Sequence, residues 1–445
     1  MVGDSALQDG FTRFFEDNDE DARYLVKIAD AFRNAGEGTD LPGGALNLST
    51  DSLVLALVPA SRSGEALMNF LSTATPEQIR AQAKIPGWDE ALQSVPAERI
   101  AVWWDGLQGP DQVIRLNQKV EFTVTTLQAE LLGAAPRVFG SLDGIPALSR
   151  VYANKLAVSS DIQAAEKELK MLQEFSKASP LGSQYPDRQA FLISEINYLK
   201  KVESGDRQLY LYDRDKSRIV QMIGAPDEDT ERTITYVPGT FTNPKSFYDN
   251  GPQQIPIELV GAVPDTVAFV YKDGQFAGED SYDGGTDFFR LLEANDPDRG
   301  LDAGRQLAAF QRGIQSDPLL QNAEQIGFGH SWGYQNLSSS EIFGAKWDKS
   351  TSLSGAGMHE KWVPDEDTEY TNLVYERDAL LWAQRKGLVW DGKIPRTQEA
   401  FTNNVYTRPD GEGDPVDDHS EIQRADPENQ DNREARNDMV KWVMK

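Results

Sequence analysis

Cysteine is absent from all 445 residues, which removes disulfides, thiolate nucleophiles and cysteine-ligated metals from consideration. Histidine is scarce, with three copies at 330, 359 and 419. Any reaction that runs on an imidazole base therefore has three places to find one. Basic charge is in deficit: 44 Lys and Arg against 71 Asp and Glu leave a formal net charge of −27. Phosphate backbones and anionic membrane surfaces both call for clustered cations, so neither nucleic-acid binding nor adsorption to such a membrane is expected. The excess acid serves solubility. No apolar run is long enough to span a bilayer, so no transmembrane segment is expected. The first residues, MVGDSALQDGFTRFFEDNDED, carry no basic patch followed by an apolar core. The expectation is a soluble protein, cytoplasmic or exported by a route without a Sec-type signal peptide.

What is present argues for a sizeable folded core: 39% hydrophobic residues and nine tryptophans. Residues 1–205 read as a mainly helical region. EDARYLVKIADAFRNAG (20–36) spaces Tyr24, Leu25, Ile28, Ala29 and Phe32 as one helical face. Thr75 and Gln78 form a capping box, and PAERIAVWWDGL is a helix between Pro96 and Gly106. IPALSRVYANKLAVSSDIQAAEKELKMLQEFSKA and DRQAFLISEINYLKKVES are the two longest helical patterns.

At Gly205 the pattern changes to that of a second domain, 206–445. RQLYLYD and RIVQMIGA read as a β-hairpin. TITYVPG, TVAFVYKDG, QIGFG, STSLSGAG and TNLVYERD then alternate with helix-like segments such as DAGRQLAAFQRGIQ. The runs at 266, 325 and 371 are short, continuous and rich in β-formers, as strands buried on both faces should be. The fold class expected is α/β, a mostly parallel sheet with flanking helices behind the helical region. The acidic tail RPDGEGDPVDDHSEIQRADPENQDNREARND reads as a solvated loop before a terminal helix.

The stretch QIGFGHSWGYQNLSSS carries the chemistry. A serine hydroxyl needs a base within reach to become a nucleophile, and presenting it above a sheet takes a strained strand-to-helix turn with glycines on both sides. Gly329 and Gly333 flank Ser331 in that arrangement, and a helix N-terminus behind the hydroxyl favours a developing oxyanion. One oxyanion donor would be the Trp332 N–H. The other would come from the loop after the third strand, where the amide of Thr240 or Phe241 is available. Of the histidines, His330 lies within the elbow and points away from the hydroxyl, where a packing role suits it. His359, with Met358 before it, stands at a strand end where contact with substrate is possible. His419 follows the last recognised strand, where this fold delivers its base. Asp378 is the candidate acid, with Glu376 as the alternate, while Asp414, Asp417 and Asp418 read as loop-solvating charge. No spacing of His, Asp and Glu suggests a metal, and no glycine-rich phosphate cradle follows a strand, so hydrolysis without a cofactor is expected.

Three stretches, RIAVWWDGL (99–107), VFGSLDGIPALSR (138–150) and the pair VPGTFT with GFGHSWG, resemble an actinobacterial α/β-hydrolase family described as a domain of unknown function. Its members join a helical N-terminal region, often similar to secreted WXG-type hairpins, to a compact hydrolase domain. The likeness runs from about residue 99 to the end. The usual elbow there is Gly-His-Ser-Tyr-Gly, so the resemblance implies a nucleophile at Ser331, an acid at Asp378 and a base at His419. The helices of 1–205 would then be a WXG-like hairpin, a lid or a docking module.

The function expected is a serine hydrolase working by acyl transfer, an esterase or lipase-like enzyme on a small-molecule or lipid ester. Trp332 and Phe241 can build an apolar acyl pocket. The alternatives are a non-enzymatic secreted or scaffolding protein with a relic hydrolase domain, and an exported hydrolase toxin.

Overall fold

The computed structural model describes residues 63–445 except 86, 179–184, 281–284, 286–287, 386–388, 390–391, 409–414, 426–429 and 431. The helix expected over 20–36, and Asp414, lie outside the described residues. Helices α1 (Gly64–Leu71), α2 (Pro76–Gln82), α3 (Trp88–Gln93) and α4 (Ala97–Asp105) come first. α2 opens on the capping box read at Thr75: its Oγ1 accepts the Gln78 N–H, and Gln78 Oε1 accepts the Thr75 N–H at 2.9 Å. α4 follows Pro96 and stops at Gly106.

An antiparallel hairpin then interrupts the helices, β1 (Asp111–Arg115) with β2 (Glu121–Thr125). Only Ile114 and Val124 of its strand residues are buried, too few apolar positions to signal a strand in the sequence. Helices α5 (Thr126–Ala134), α6 (Pro136–Phe139), α7 (Ala147–Ala178) and α8 (Pro186–Ser204) complete this stretch. α8 ends where Gly205 takes φ 89°, a left-handed cap that suits glycine.

Eight strands follow: β3 (Gln208–Asp213), β4 (Arg218–Ile223), β5 (Arg232–Val237), β6 (Thr266–Lys272), β7 (Glu324–His330), β8 (Lys349–Leu353), β9 (Glu369–Tyr375) and β10 (Phe401–Tyr406). They form one sheet in the order β10-β9-β8-β7-β5-β6-β4-β3. β5 to β10 are parallel to one another, while β4 is antiparallel to both β3 and β6. Helices α9 (Pro244–Tyr248), α10 (Gln254–Ala262), α11 (Pro297–Gln315), α12 (Trp332–Ile342), α13 (Ala379–Arg385), α14 (Pro415–Glu421) and α15 (Arg433–Met444) lie between and after the strands. Such an order, with an antiparallel strand second from one edge, is that of the α/β-hydrolase fold.

Period-two alternation divides the strand side chains between two cores. Val267, Phe269 and Tyr271 pack with Phe310 of α11 and Trp332 and Leu337 of α12. Ala268 and Val270 pack with Leu259 of α10 and Met439 and Val443 of α15. The long helix α7 packs along edge strand β3 and enters both, Val151 in the first core and Val158 in the second. A third cluster gathers Leu71, Ile79, Trp88, Trp104 and Phe139 from the early helices.

Two elements differ from the sequence reading. β10 extends the sheet beyond the last strand recognised there; as an edge strand it buries only its ends, Phe401 and Tyr406. The tail around His419 forms helix α14 rather than an open loop. The chain order reverses at β5, which lies between β6 and β7. Crevices at such switch points, beyond the carboxyl ends of the strands, are where open parallel sheets bind ligands.

Candidate active site

β7 ends at His330, α12 begins at Trp332, and Ser331 between them takes φ 52°, ψ −124°. L-residues avoid that region, so the turn persists only because its surroundings fix it. The Ser331 N–H donates to the Leu353 carbonyl at 3.0 Å, and its own carbonyl accepts from Tyr334 N–H at 3.0 Å and Ala356 N–H at 2.9 Å. The two glycines are required by space. A Cβ on Gly329 would stand 2.5 Å from Tyr334 Cα, and one on Gly333 would stand 2.1 Å from the Val237 carbonyl oxygen. Ser331 is 7% exposed, and its hydroxyl makes no hydrogen bond among the described residues.

The register that pairs Val237 with Gly329 carries the loop after β5 directly onto this turn. Gly239 lies so close that a Cβ there would meet Ser331 Cβ and His330 Nδ1, each at 2.9 Å. Thr240 is next. Among the described residues neither the Thr240 nor the Trp332 amide has an acceptor. The Phe241 N–H, weighed as the other second donor, is engaged with the Ala277 carbonyl at 2.8 Å. Thr240 is therefore the free donor of the two.

His419 lies on α14, and its Nδ1 is 3.0 Å from both carboxylate oxygens of Asp378. An ionised carboxylate only accepts, so Nδ1 carries a proton and Nε2 is the ring nitrogen outside that bond. Asp378 has no exposed side-chain surface and takes a further hydrogen bond from the Leu380 N–H at 2.7 Å. Burial by itself would raise its carboxyl; the adjacent His419 ring and the hydrogen bonds outweigh that and hold it below the ordinary value. Glu376, the alternate acid, is exposed, and the buried carboxylate is that of Asp378, two residues on.

His330 has more to do than packing. Its Nε2 is 3.0 Å from the His419 carbonyl oxygen, to which it donates, and the two rings lie 5.1 Å apart between centroids. Burial, then the nearby His419, push the His330 imidazole down to about 3, so it is neutral near neutrality. Sequence reasoning missed this link because nothing in the chain pairs residue 330 with the backbone of residue 419. Asp418 likewise differs from the solvating role expected of it. It is buried and paired through Oδ1 with Arg408 Nε at 2.6 Å. Arg424 Nη1 reaches Glu421, at the end of the same helix, at 3.1 Å.

His359 Nδ1 accepts the Lys361 N–H at 3.0 Å. Met358 is fully buried in the same core as Trp332. Among the described residues no group of three or more His, Asp and Glu side chains can hold a metal ion, and no helix is long and apolar enough to cross a membrane.

No family model matches the chain, and no curated protein is similar to it in sequence. Among solved structures it is similar to a dienelactone hydrolase from Anabaena variabilis, at 11% identity and TM-score 0.32, over 54% of this chain and 97% of that one. A hormone-sensitive lipase from a metagenome library matches at 12% identity and TM-score 0.32, over 63% and 98% of the two chains. A carboxylesterase from Mesorhizobium loti matches at 12% and 0.29, over 47% and 94%.

Proposed function

We propose that the protein is a serine hydrolase that transfers acyl groups through Ser331, His419 and Asp378. The observation that carries this reading is the strained serine at the end of β7, next to the His330 that bonds the His419 carbonyl, together with a His419 imidazole held by the buried Asp378 carboxylate. Ser331 Oγ attacks the substrate carbonyl while His419 Nε2 takes its proton. Asp378 keeps the proton on Nδ1 and stabilises the imidazolium as it forms. The Trp332 and Thr240 amides receive the oxyanion, which gains more from fixed dipoles than from water that must reorganise. His419 then protonates the leaving alcohol, and a water activated by the same nitrogen releases the acid. These steps call for no cofactor.

A hydrophobic ester is the substrate class proposed, since the half-buried ring of Phe241 follows the Thr240 amide directly, while Trp332 and Phe276 pack into the core behind it. The likeness to an actinobacterial family, and a lid or docking role for the helices of 1–205, belong to the same proposal. The test is labelling with a fluorophosphonate probe and turnover of nitrophenyl esters. Ser331→Ala is expected to abolish labelling, and Ser331→Ala, His419→Ala and Asp378→Asn to lower kcat by about 10³-fold or more. Labelling that persists in Ser331→Ala would overturn the reading.

A further inference from the structure

Lys272, the last residue of β6, ends in a buried ammonium, and Glu279 ends in a buried carboxylate; neither side chain has exposed surface. Their charged atoms lie 2.8 Å apart. The ammonium also donates to the Ser217 carbonyl at 2.7 Å, to Ser217 Oγ at 2.8 Å and to the Gly274 carbonyl at 2.8 Å. Glu279 takes the Ser217 hydroxyl on Oε1 and the Phe276 N–H on Oε2, the latter at 2.8 Å. Ser217, in the turn between β3 and β4, is itself held at φ 53°. The loop 273–280 is thus tied at both ends to one desolvated pair.

That loop touches both sides of the proposed oxyanion cradle. The Ala277 carbonyl accepts the Phe241 N–H at 2.8 Å. Gly278 lies so close to Phe241 that a Cβ would come within 2.5 Å of its ring. Phe241 sits at φ 64°, a conformation that needs outside support, and it follows Thr240 directly. The Phe276 ring packs against Trp332, the residue of the other amide.

We propose that the Lys272–Glu279 pair, bridged by Ser217, is a clamp that fixes loop 273–280 and through it positions the Thr240 and Trp332 amides. The inference rests on the acyl-transfer reading for its catalytic consequence. Two apolar side chains of similar volume would fill the same space without desolvating two charges. Apolar contacts have no direction, whereas the hydrogen bonds of this pair specify where each carbonyl and amide of the loop must lie. Lys272, Glu279 and Ser217 are accordingly positioning residues.

The experiment compares the full-length wild type with Lys272→Met/Glu279→Leu and, as a milder change, Ser217→Ala. The double variant removes the directed bonds while keeping the volume filled; should it fail to fold, Ser217→Ala carries the test. Two readouts are taken: hydrogen exchange of the Phe241 amide, which requires no activity, and kcat and KM for a nitrophenyl ester. The clamp predicts faster exchange at Phe241 in both variants. It also predicts a kcat about 10- to 100-fold lower in the double variant, with KM within about twofold, the size expected when oxyanion donors are misplaced. Wild-type exchange and wild-type kcat in the folded variants would overturn it. Faster exchange in the variants of a protein whose wild type neither labels at Ser331 nor turns over ester would uphold the clamp on the loop and sink the hydrolase reading instead.

Discussion

Ser331 and the three histidines show how much a single position can carry. The flanking glycines made the serine legible, because only a backbone without Cβ allows Gly333 to lie against the Val237 carbonyl. His419 was legible by elimination and chain order. His330 was not, since its bond to the His419 carbonyl joins positions 89 residues apart. On the acyl-transfer proposal that bond orients the His419 ring from behind, so His330→Ala is expected to lower kcat about tenfold with little change in KM, the pattern of a misplaced group that acts only in the transition state. It also makes a prediction for stability. A free imidazole protonates near ~6.5, whereas folded His330 is held to about 3. Between those values the unfolded chain binds the extra proton, so stability falls as pH falls from about 6.5 toward 3. Chemical denaturation of wild type and His330→Asn across that window should show a shallower acid loss in the variant. A parallel loss in both would count against the buried neutral ring.

The elements that place the site differ in how plainly their sequences announce them. β6 and β7 are buried along almost their whole length, which β6 announces in a run of apolar and β-forming residues, and α2 announces itself through a capping box. The β1–β2 hairpin and β10 expose most of their side chains and so lack a pattern to read. α14 was hidden for a different reason. What shapes this segment is tertiary: the Arg408–Asp418 pair and the His330 bond. The strand-turn-helix around Ser331 gives the sharpest test at this scale. In Gly333→Ala the new methyl meets the Val237 and Pro238 carbonyl oxygens at 2.1 and 2.5 Å, backbone that cannot swing aside. A loss of about 1–3 kcal/mol or more is expected, measured by denaturant unfolding, together with loss of probe labelling at Ser331. Gly261→Ala in α10, where nothing lies within 4 Å of the new atom, should be neutral or stabilising by up to about 1 kcal/mol.

At the scale of the molecule, most carboxylates among the described residues reach water, but some are drawn inside. Glu341, at the end of α12, accepts from Trp362 Nε1 and, at 3.3 Å, from the Tyr370 hydroxyl. Burial raises its carboxyl from 4.5 to about 8 despite those bonds. Between these values the folded state holds the extra proton, so this group makes stability fall as pH rises from about 4.5 to 8. Glu341→Gln should remove that slope, and unfolding curves at pH 6, 7 and 8 would reveal it as a growing advantage over wild type. A constant difference between the two would refute the assignment. By itself the sequence determined the α/β class, the strand-turn-helix at Ser331, its two flanking glycines and the order in which Asp378 and His419 follow, because each is written in local spacing and in side chains of fixed chemistry. Only the tertiary structure decided that Asp378 rather than Glu376 meets His419, that Thr240 rather than Phe241 keeps a free amide, and that a buried ion pair stands behind the loop. Those choices depend on which groups water can reach once distant segments have packed, and burial is a property of the folded whole.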